Sequence, residues 1–169
     1  QEGACTMSTG LEYIPDSHAR TIELIQLGRV LARNDKLYTS HIRGESQALF
    51  SSIQEAIRTA EVSGCRLEIS HLKLGGMFNW GKTEKLFCLL EDALARGVQL
   101  SWDQYPYVAW GTGLADYIPG WVRQEGHQKL IEHLSNKVSR KKIRQEIEDE
   151  MKRGRHAYNT APRENVQNA

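Results

Sequence analysis

Two histidines in this chain sit in the same seven-residue frame. Leu37-Tyr38-Thr39-Ser40-His41-Ile42-Arg43 and Leu67-Glu68-Ile69-Ser70-His71-Leu72-Lys73 align residue for residue, 30 positions apart. A neutral imidazole offers a nitrogen lone pair to a transition metal, and zinc takes such ligands at about 2.0–2.1 Å. Neighbouring parallel strands lie about 4.8 Å apart, so imidazoles on adjacent strands can converge on one zinc ion. A lone histidine at a strand end more often serves packing. It is the repetition, with a cation two residues after each histidine, that gives the metal reading its weight. Those cations, Arg43 and Lys73, are either solvated side chains or partners of an acidic group, since a positive charge beside a metal needs a carboxylate to offset it.

The elements that must position these side chains follow from hydrophobic periodicity. The spacing predicts strands over 4–11, 37–42, 66–72 and 98–103. It predicts helices over 17–33, burying Ile22, Leu24, Ile25, Leu27 and Leu31, over 47–63 with Gly64 as the terminating glycine, and from Thr83, as N-cap, to about Gly97. Thirty residues make about one βα unit, so the histidines are expected at equivalent points of adjacent strands, at the ends leading into the following loops. Parallel α/β folds place their sites at that end. Strand alternation would put Leu37, Thr39, His41 and Arg43 on one face, and Leu67, Ile69, His71 and Lys73 on one face. Either a doubly wound sheet or part of a (β/α)8 barrel fits this order. No glycine-rich phosphate loop follows any strand, which weighs against the nucleotide-binding versions. After Tyr107 a long loop leads to Gly126, and two polar helices are predicted over 127–134 and 139–153. The segment 154–169 is poor in apolar residues and is expected to be a mobile tail.

Composition narrows the function classes. With 22 Lys+Arg against 21 Asp+Glu the formal charge is +1, so no field of one sign draws the chain to nucleic acid or to an anionic membrane. No apolar run approaches the roughly 18 residues of a membrane span. Three cysteines without a CxxC pair suit a reduced, cytoplasmic chain. The chain opens on Gln1 and ends without a readable stop signal, which leads to the expectation of an internal piece of a longer protein.

At the level of motifs the sequence resembles the N-acyl-D-amino-acid deacylase (D-aminoacylase) family of the amidohydrolase superfamily of metal-dependent barrels. The resemblance rests on Ser8-Thr9-Gly10-Leu11-Glu12-Tyr13-Ile14-Pro15, Ser40-His41-Ile42-Arg43-Gly44-Glu45, Ile69-Ser70-His71-Leu72-Lys73, Asn79-Trp80-Gly81-Lys82 and Asp103-Gln104-Tyr105-Pro106-Tyr107, in that order. It extends from about Gly3 to Arg153. It implies an α/β fold, a partial (β/α)8 barrel comprising about strands four to seven, with a helical C-terminal extension. Residues 1–153 would form this partial barrel, including a loop and helical insertion at 108–153. It implies zinc as cofactor, His41 and His71 as ligands, and Lys73 and Tyr105 as the groups that hold the substrate carboxylate. Arg43 is counted with them as a substrate-binding cation.

The family's HxH pair, cysteine ligand and last-strand catalytic aspartate have no counterparts here. Cys5 reads as a barrel-interior residue, and Asp103 should not be mistaken for the catalytic aspartate. No catalytic residue is therefore assigned within this chain. The implied activity is hydrolysis of N-acyl-D-amino acids, small-molecule partners, to a carboxylate and a D-amino acid, with this piece alone inactive. The rivals are a sister amidohydrolase acting on cyclic amides or ureides, as dihydroorotases and hydantoinases do, an inactive half-barrel, and a nucleotide-binding domain.

Overall fold

The alternation of short β-forming runs with amphipathic helices is present in the computed structural model, which describes residues 3–152. Strands β1 (Thr6–Gly10), β2 (Leu37–His41), β3 (Arg66–Ile69) and β4 (Leu100–Trp102) are all parallel and lie side by side in chain order, β1-β2-β3-β4. Helices α1 (Thr21–Arg33), α2 (Leu49–Ser63) and α3 (Thr83–Ala95) make the crossovers. The strand order never reverses, as it must in a doubly wound sheet.

Register shows what each face does. Met7, Tyr38, Leu67 and Leu100 pair across the sheet in one row. This row faces the helices: Tyr38, Leu67 and Ile69 are fully buried in one core with Leu49, Ile53, Ile57, Leu86 and Leu90. The neighbouring row, Ser8, Thr39, Glu68 and Ser101, lies on the opposite face and is polar throughout. Thr39 and Ile69, equivalent positions of the repeated frame, therefore stand on opposite faces of the sheet. Because β2 and β3 pair with an offset of 29 positions, Thr39 stands beside Glu68 and Ile69 beside Ser40.

Several element ends differ from the periodicity reading. The chain before α1 forms a 3-10 turn (Asp16–His18), and Ala19 is extended, so the helix begins at Thr21. Within α1, Leu24 and Ile25 are buried, but Ile22 and Leu27 are 49% and 44% exposed, because its apolar stripe is wider than the surface it covers. Thr83 is the first residue of α3 and makes no side-chain cap; Lys82 precedes it. Gly64 does end α2 in the left-handed conformation, at φ 76°. Cys5 lies before β1, exposed, and is not an interior residue.

Beyond β4 the loop contains a 3-10 turn (Leu114–Tyr117) and one helical turn, α4 (Gly120–Arg123), before α5 (His127–Ser135) and α6 (Lys137–Lys152). Val122 of α4 and Ile143 of α6 are buried. Trp121 donates its indole N–H to Glu146 at 2.9 Å, and Lys142 lies 4.4 Å from the Trp121 ring. These anchors hold α4 against α6. The expected tail, 154–169, lies outside the described residues. Among the described residues no helix is long and apolar enough to cross a membrane.

Candidate metal and substrate site

All four loops that follow the strands contribute to one cleft. It is lined by Glu12 and Tyr13 after β1, by His41, Glu45 and Ser46 at and after β2, by His71 and Lys73 after β3, and by Tyr105, Trp110, Gly111 and Thr112 after β4. The loops are tied together beneath it. Asn79, buried, donates its amide to the carbonyls of Ser46 (2.7 Å) and Gly75 (2.8 Å). A Cβ at position 75 would stand 2.3 Å from the Glu45 carbonyl oxygen, so the β3 loop approaches the β2 loop this closely only with glycine there.

His41 is the last residue of β2, on the open, polar face. Had β3 continued in regular alternation, His71 would lie on the other face with Leu67 and Ile69, since β3 ends at Ile69 and the register offset is 29. The chain avoids this with a left-handed residue: His71 itself has φ 42°. That conformation is uncommon for a residue with a Cβ. Asp103 holds it, its carboxylate accepting the His71 N–H and its carbonyl accepting the Leu72 N–H at 2.9 Å. Leu72 then enters the core, and the His71 imidazole swings across to His41.

The imidazoles meet with His41 Nδ1 2.9 Å from His71 Nε2. Their distal nitrogens face carboxylates: His41 Nε2 is 2.8 Å from Glu12 Oε2, and His71 Nδ1 is 2.8 Å from Glu45 Oε1. Two facing ring nitrogens at such a distance repel unless a proton or a cation lies between them. Two zinc bonds of about 2.0–2.1 Å at the tetrahedral angle need nitrogens about 3.3–3.4 Å apart, a few tenths of an ångström wider than found. Ligand atoms of His41, Glu45 and His71 all fall within 4.8 Å of one another. This donor set fits a zinc ion.

Burial, followed by the nearby Lys73 charge, lowers the His71 pKa and favours the neutral imidazole, the form that ligates metals. Burial also raises the Glu12 pKa, opposed by its bond to His41. One Glu12 oxygen, Oε1, is buried without a hydrogen-bond partner.

Lys73 lies in the cleft, but its charge is already offset. Nζ is 2.6 Å from Glu45 Oε1, donates to the His71 carbonyl at 2.8 Å, and stands 3.1 Å from His71 Nδ1. A protein carboxylate therefore supplies the offset that could also have signalled an acidic ligand. The Tyr105 ring is 5.5 Å from Lys73 Nζ, its hydroxyl is buried without a partner, and burial raises its pKa.

Arg43 is the sequence-predicted site residue that the fold does not bring into the cleft. β2 ends at His41, so alternation no longer governs residue 43. Its side chain is turned inward, 2% exposed, and forms two hydrogen bonds to Glu55 (2.8 and 3.0 Å) and one each to the carbonyls of Ser17 (2.9 Å) and Ala19 (2.8 Å). Its place is structural: it joins the approach to α1 to α2. Conversely, Glu12, Tyr13, Trp110 and Thr112 line the cleft without having been singled out. Glu12 and Tyr13 lie within the motif that carried the family resemblance, which was the available signal.

Comparison with known proteins supplies the context for this geometry. No protein-family model matches the chain. It is 38% identical over 107 residues to the N-acyl-D-glutamate deacylase of Alcaligenes xylosoxydans xylosoxydans, a match covering 63% of this chain and 22% of the relative. The fold resembles the N-acyl-D-glutamate deacylase of Bordetella bronchiseptica, solved with zinc and a phosphonate mimic of the tetrahedral intermediate, at TM-score 0.60, 36% identity, 62% of this chain and 22% of that one. A D-aminoacylase structure described as defining a novel subset of amidohydrolases matches at TM-score 0.63 and 27% identity, covering 98% of this chain and 33% of that one. The chain thus spans about a fifth of the length of the curated relative it matches.

Proposed function

We propose that this chain forms part of a zinc-dependent amidohydrolase that cleaves the linear amide of N-acyl-D-amino acids, giving a carboxylate and a D-amino acid. The observation that carries this reading is the facing pair His41 Nδ1 and His71 Nε2, 2.9 Å apart, in a chain homologous to N-acyl-D-amino-acid deacylases. On this reading the four strands are an arc of a (β/α)8 barrel, about strands four to seven. Their sequential order, the helices packed on one face and the polar row on the other all support it. Residues 1–153 then act as one unit with the insertion at 108–153. Three free cysteines suit a cytoplasmic location.

His41 and His71 would hold the zinc, with a Glu45 carboxylate oxygen within 4.8 Å of a ring nitrogen of each. Zinc bound there lowers the pKa of water and polarises an acyl carbonyl. Lys73 and Tyr105 would hold the substrate carboxylate, the lysine as a charge and the tyrosine through a hydroxyl that lacks a protein partner. The Trp110 ring stands 6.0 Å from Lys73 Nζ at that end of the cleft. None of the residues present is assigned the proton-transfer role; an aspartate outside this chain is expected to fill it.

The test is a pair of titrations. Zinc should bind the wild-type protein and fail to bind His41→Asn and His71→Asn. The zinc-loaded protein should then bind an acyclic N-acyl-D-amino acid in preference to a cyclic ureide. Zinc binding indifferent to both histidines would refute the metal centre, and preference for the cyclic ligand would refute the substrate class.

A further inference from the structure

The segment Asn79-Trp80-Gly81-Lys82 is one of the motifs that mark this sequence, yet none of its four residues lines the cleft. We propose that Asn79 is a positioning residue for Lys73. By clamping the loop after β3 to the loop after β2, it fixes the lysine at its end of the cleft and so sets the preference for acidic over neutral ligands. This inference rests on the carboxylate role proposed for Lys73 above and extends it to what holds the lysine in place.

Asn79 closes the 3-10 turn Met77–Asn79 and is 3% exposed. A side-chain amide carries two N–H donors on one uncharged nitrogen. Asn79 directs them at carbonyls on two different loops, Ser46 at 2.7 Å and Gly75 at 2.8 Å. Its oxygen accepts from Lys82 Nζ at 3.3 Å. An ammonium only donates, so this contact and the two carbonyls agree on which way the amide faces. The Ser46 carbonyl also accepts the Leu49 N–H at 3.2 Å, which fastens the clamp to the start of α2. On the other side it acts where the backbones already touch, Gly75 lying against the Glu45 carbonyl.

Lys73 stands between two anchors. Before it, Leu72 is buried in the core and donates its N–H to the Asp103 carbonyl at 2.9 Å. After it, Gly75 is held by Asn79. Without Asn79 the second anchor is lost, and the segment carrying the lysine can swing about Leu72. Both histidines lie ahead of that pivot: His41 ends β2, and His71 precedes Leu72. Loss of Asn79 should therefore displace the lysine and leave the imidazoles where they are.

Two measurements test this. The first is urea unfolding of Asn79→Ala, Gly75→Ala and the double variant. Each single change opens the same contact between loops, so the double variant should lose clearly less stability than the two losses summed. Additive losses would show that Asn79 does not hold the loops together and would overturn the proposal. The second is calorimetry on the zinc-loaded protein. Asn79→Ala should weaken an N-acyl-D-amino acid about tenfold, while the matching uncharged carboxamide, and zinc itself, bind as they do to the wild type. Added to Lys73→Met, it should weaken the acid no further. Equal weakening of acid and carboxamide, no weakening of either, or a loss that adds to that of Lys73→Met would each overturn the positioning role. If the alanine variant does not fold, Asn79→Ser, which keeps one donor, enters the same comparisons. A wild-type protein indifferent to the carboxylate would instead refute the role given to Lys73, and the unfolding cycle would still decide whether Asn79 clamps the loops.

Discussion

Replacing Arg43 by methionine puts its structural role, against the substrate-binding role read from the sequence, to a quantitative test. The guanidinium and the Glu55 carboxylate are both almost fully buried, with side-chain exposures of 1% and 4%. Methionine roughly preserves the volume and removes all four hydrogen bonds that Arg43 makes to Glu55, Ser17 and Ala19. Glu55 is then left buried with the Thr21 hydroxyl, at 2.7 Å, as its remaining side-chain partner. Stranding one member of a buried ion pair costs about 3–5 kcal/mol, a large share of the roughly 5–15 kcal/mol that stabilises a typical domain. With a urea dependence of about 2 kcal/mol per M, the unfolding midpoint should fall by about 1.5–2.5 M. Adding Glu55→Leu removes the stranded charge. The double variant should lose only about 1–3 kcal/mol, because the Ser17 and Ala19 carbonyls still lack donors. The assay is urea unfolding followed by circular dichroism for the wild type, both single variants and the double. A loss under about 1 kcal/mol for Arg43→Met, together with weakened binding of acidic ligands, would refute the structural assignment and restore Arg43 to the substrate.

Lys73→Met should weaken acidic ligands by about 1.5–3 kcal/mol, the scale of a hydrogen bond to a charged group, without loss of zinc; calorimetry that finds zinc lost and ligand affinity intact would make Lys73 a builder of the site instead. Asp103→Ala removes the acceptor of the His71 N–H and should cost about 1–3 kcal/mol in urea unfolding, with zinc affinity falling because the left-handed turn is released. Zinc affinity unchanged in that variant would mean the turn is held without Asp103. The chain as given should show no turnover of an N-acyl-D-amino acid even when saturated with zinc, measured as free amine released. Zinc-dependent turnover by a monomeric chain would place proton transfer on Glu12, Glu45 or Asp103.

The elements were legible in the sequence because their signals are local. Apolar spacing marked the strands and helices to within a few residues, the glycine after Ser63 ended its helix as expected, and the repeated frame around His41 and His71 put both imidazoles in one cleft. Arg43 was misplaced for a local reason too: alternation was carried two residues past the end of β2. Register, by contrast, is set between strands, and a frame repeating every 30 residues hid a pairing offset of 29. Under regular alternation that offset would have separated the two histidines across the sheet. Their meeting depends on the left-handed turn at His71, which is held by a residue 32 positions away, Asp103. Glu12 and Glu45 likewise reach their histidines only after the loops have folded over the strand ends. Residue type and local spacing pointed to two imidazoles and a lysine at neighbouring strand ends, and the family resemblance added Tyr105. Which nitrogens face one another, and which charges lie behind them, was decided by tertiary structure, because those contacts join loops that only the assembled sheet brings together.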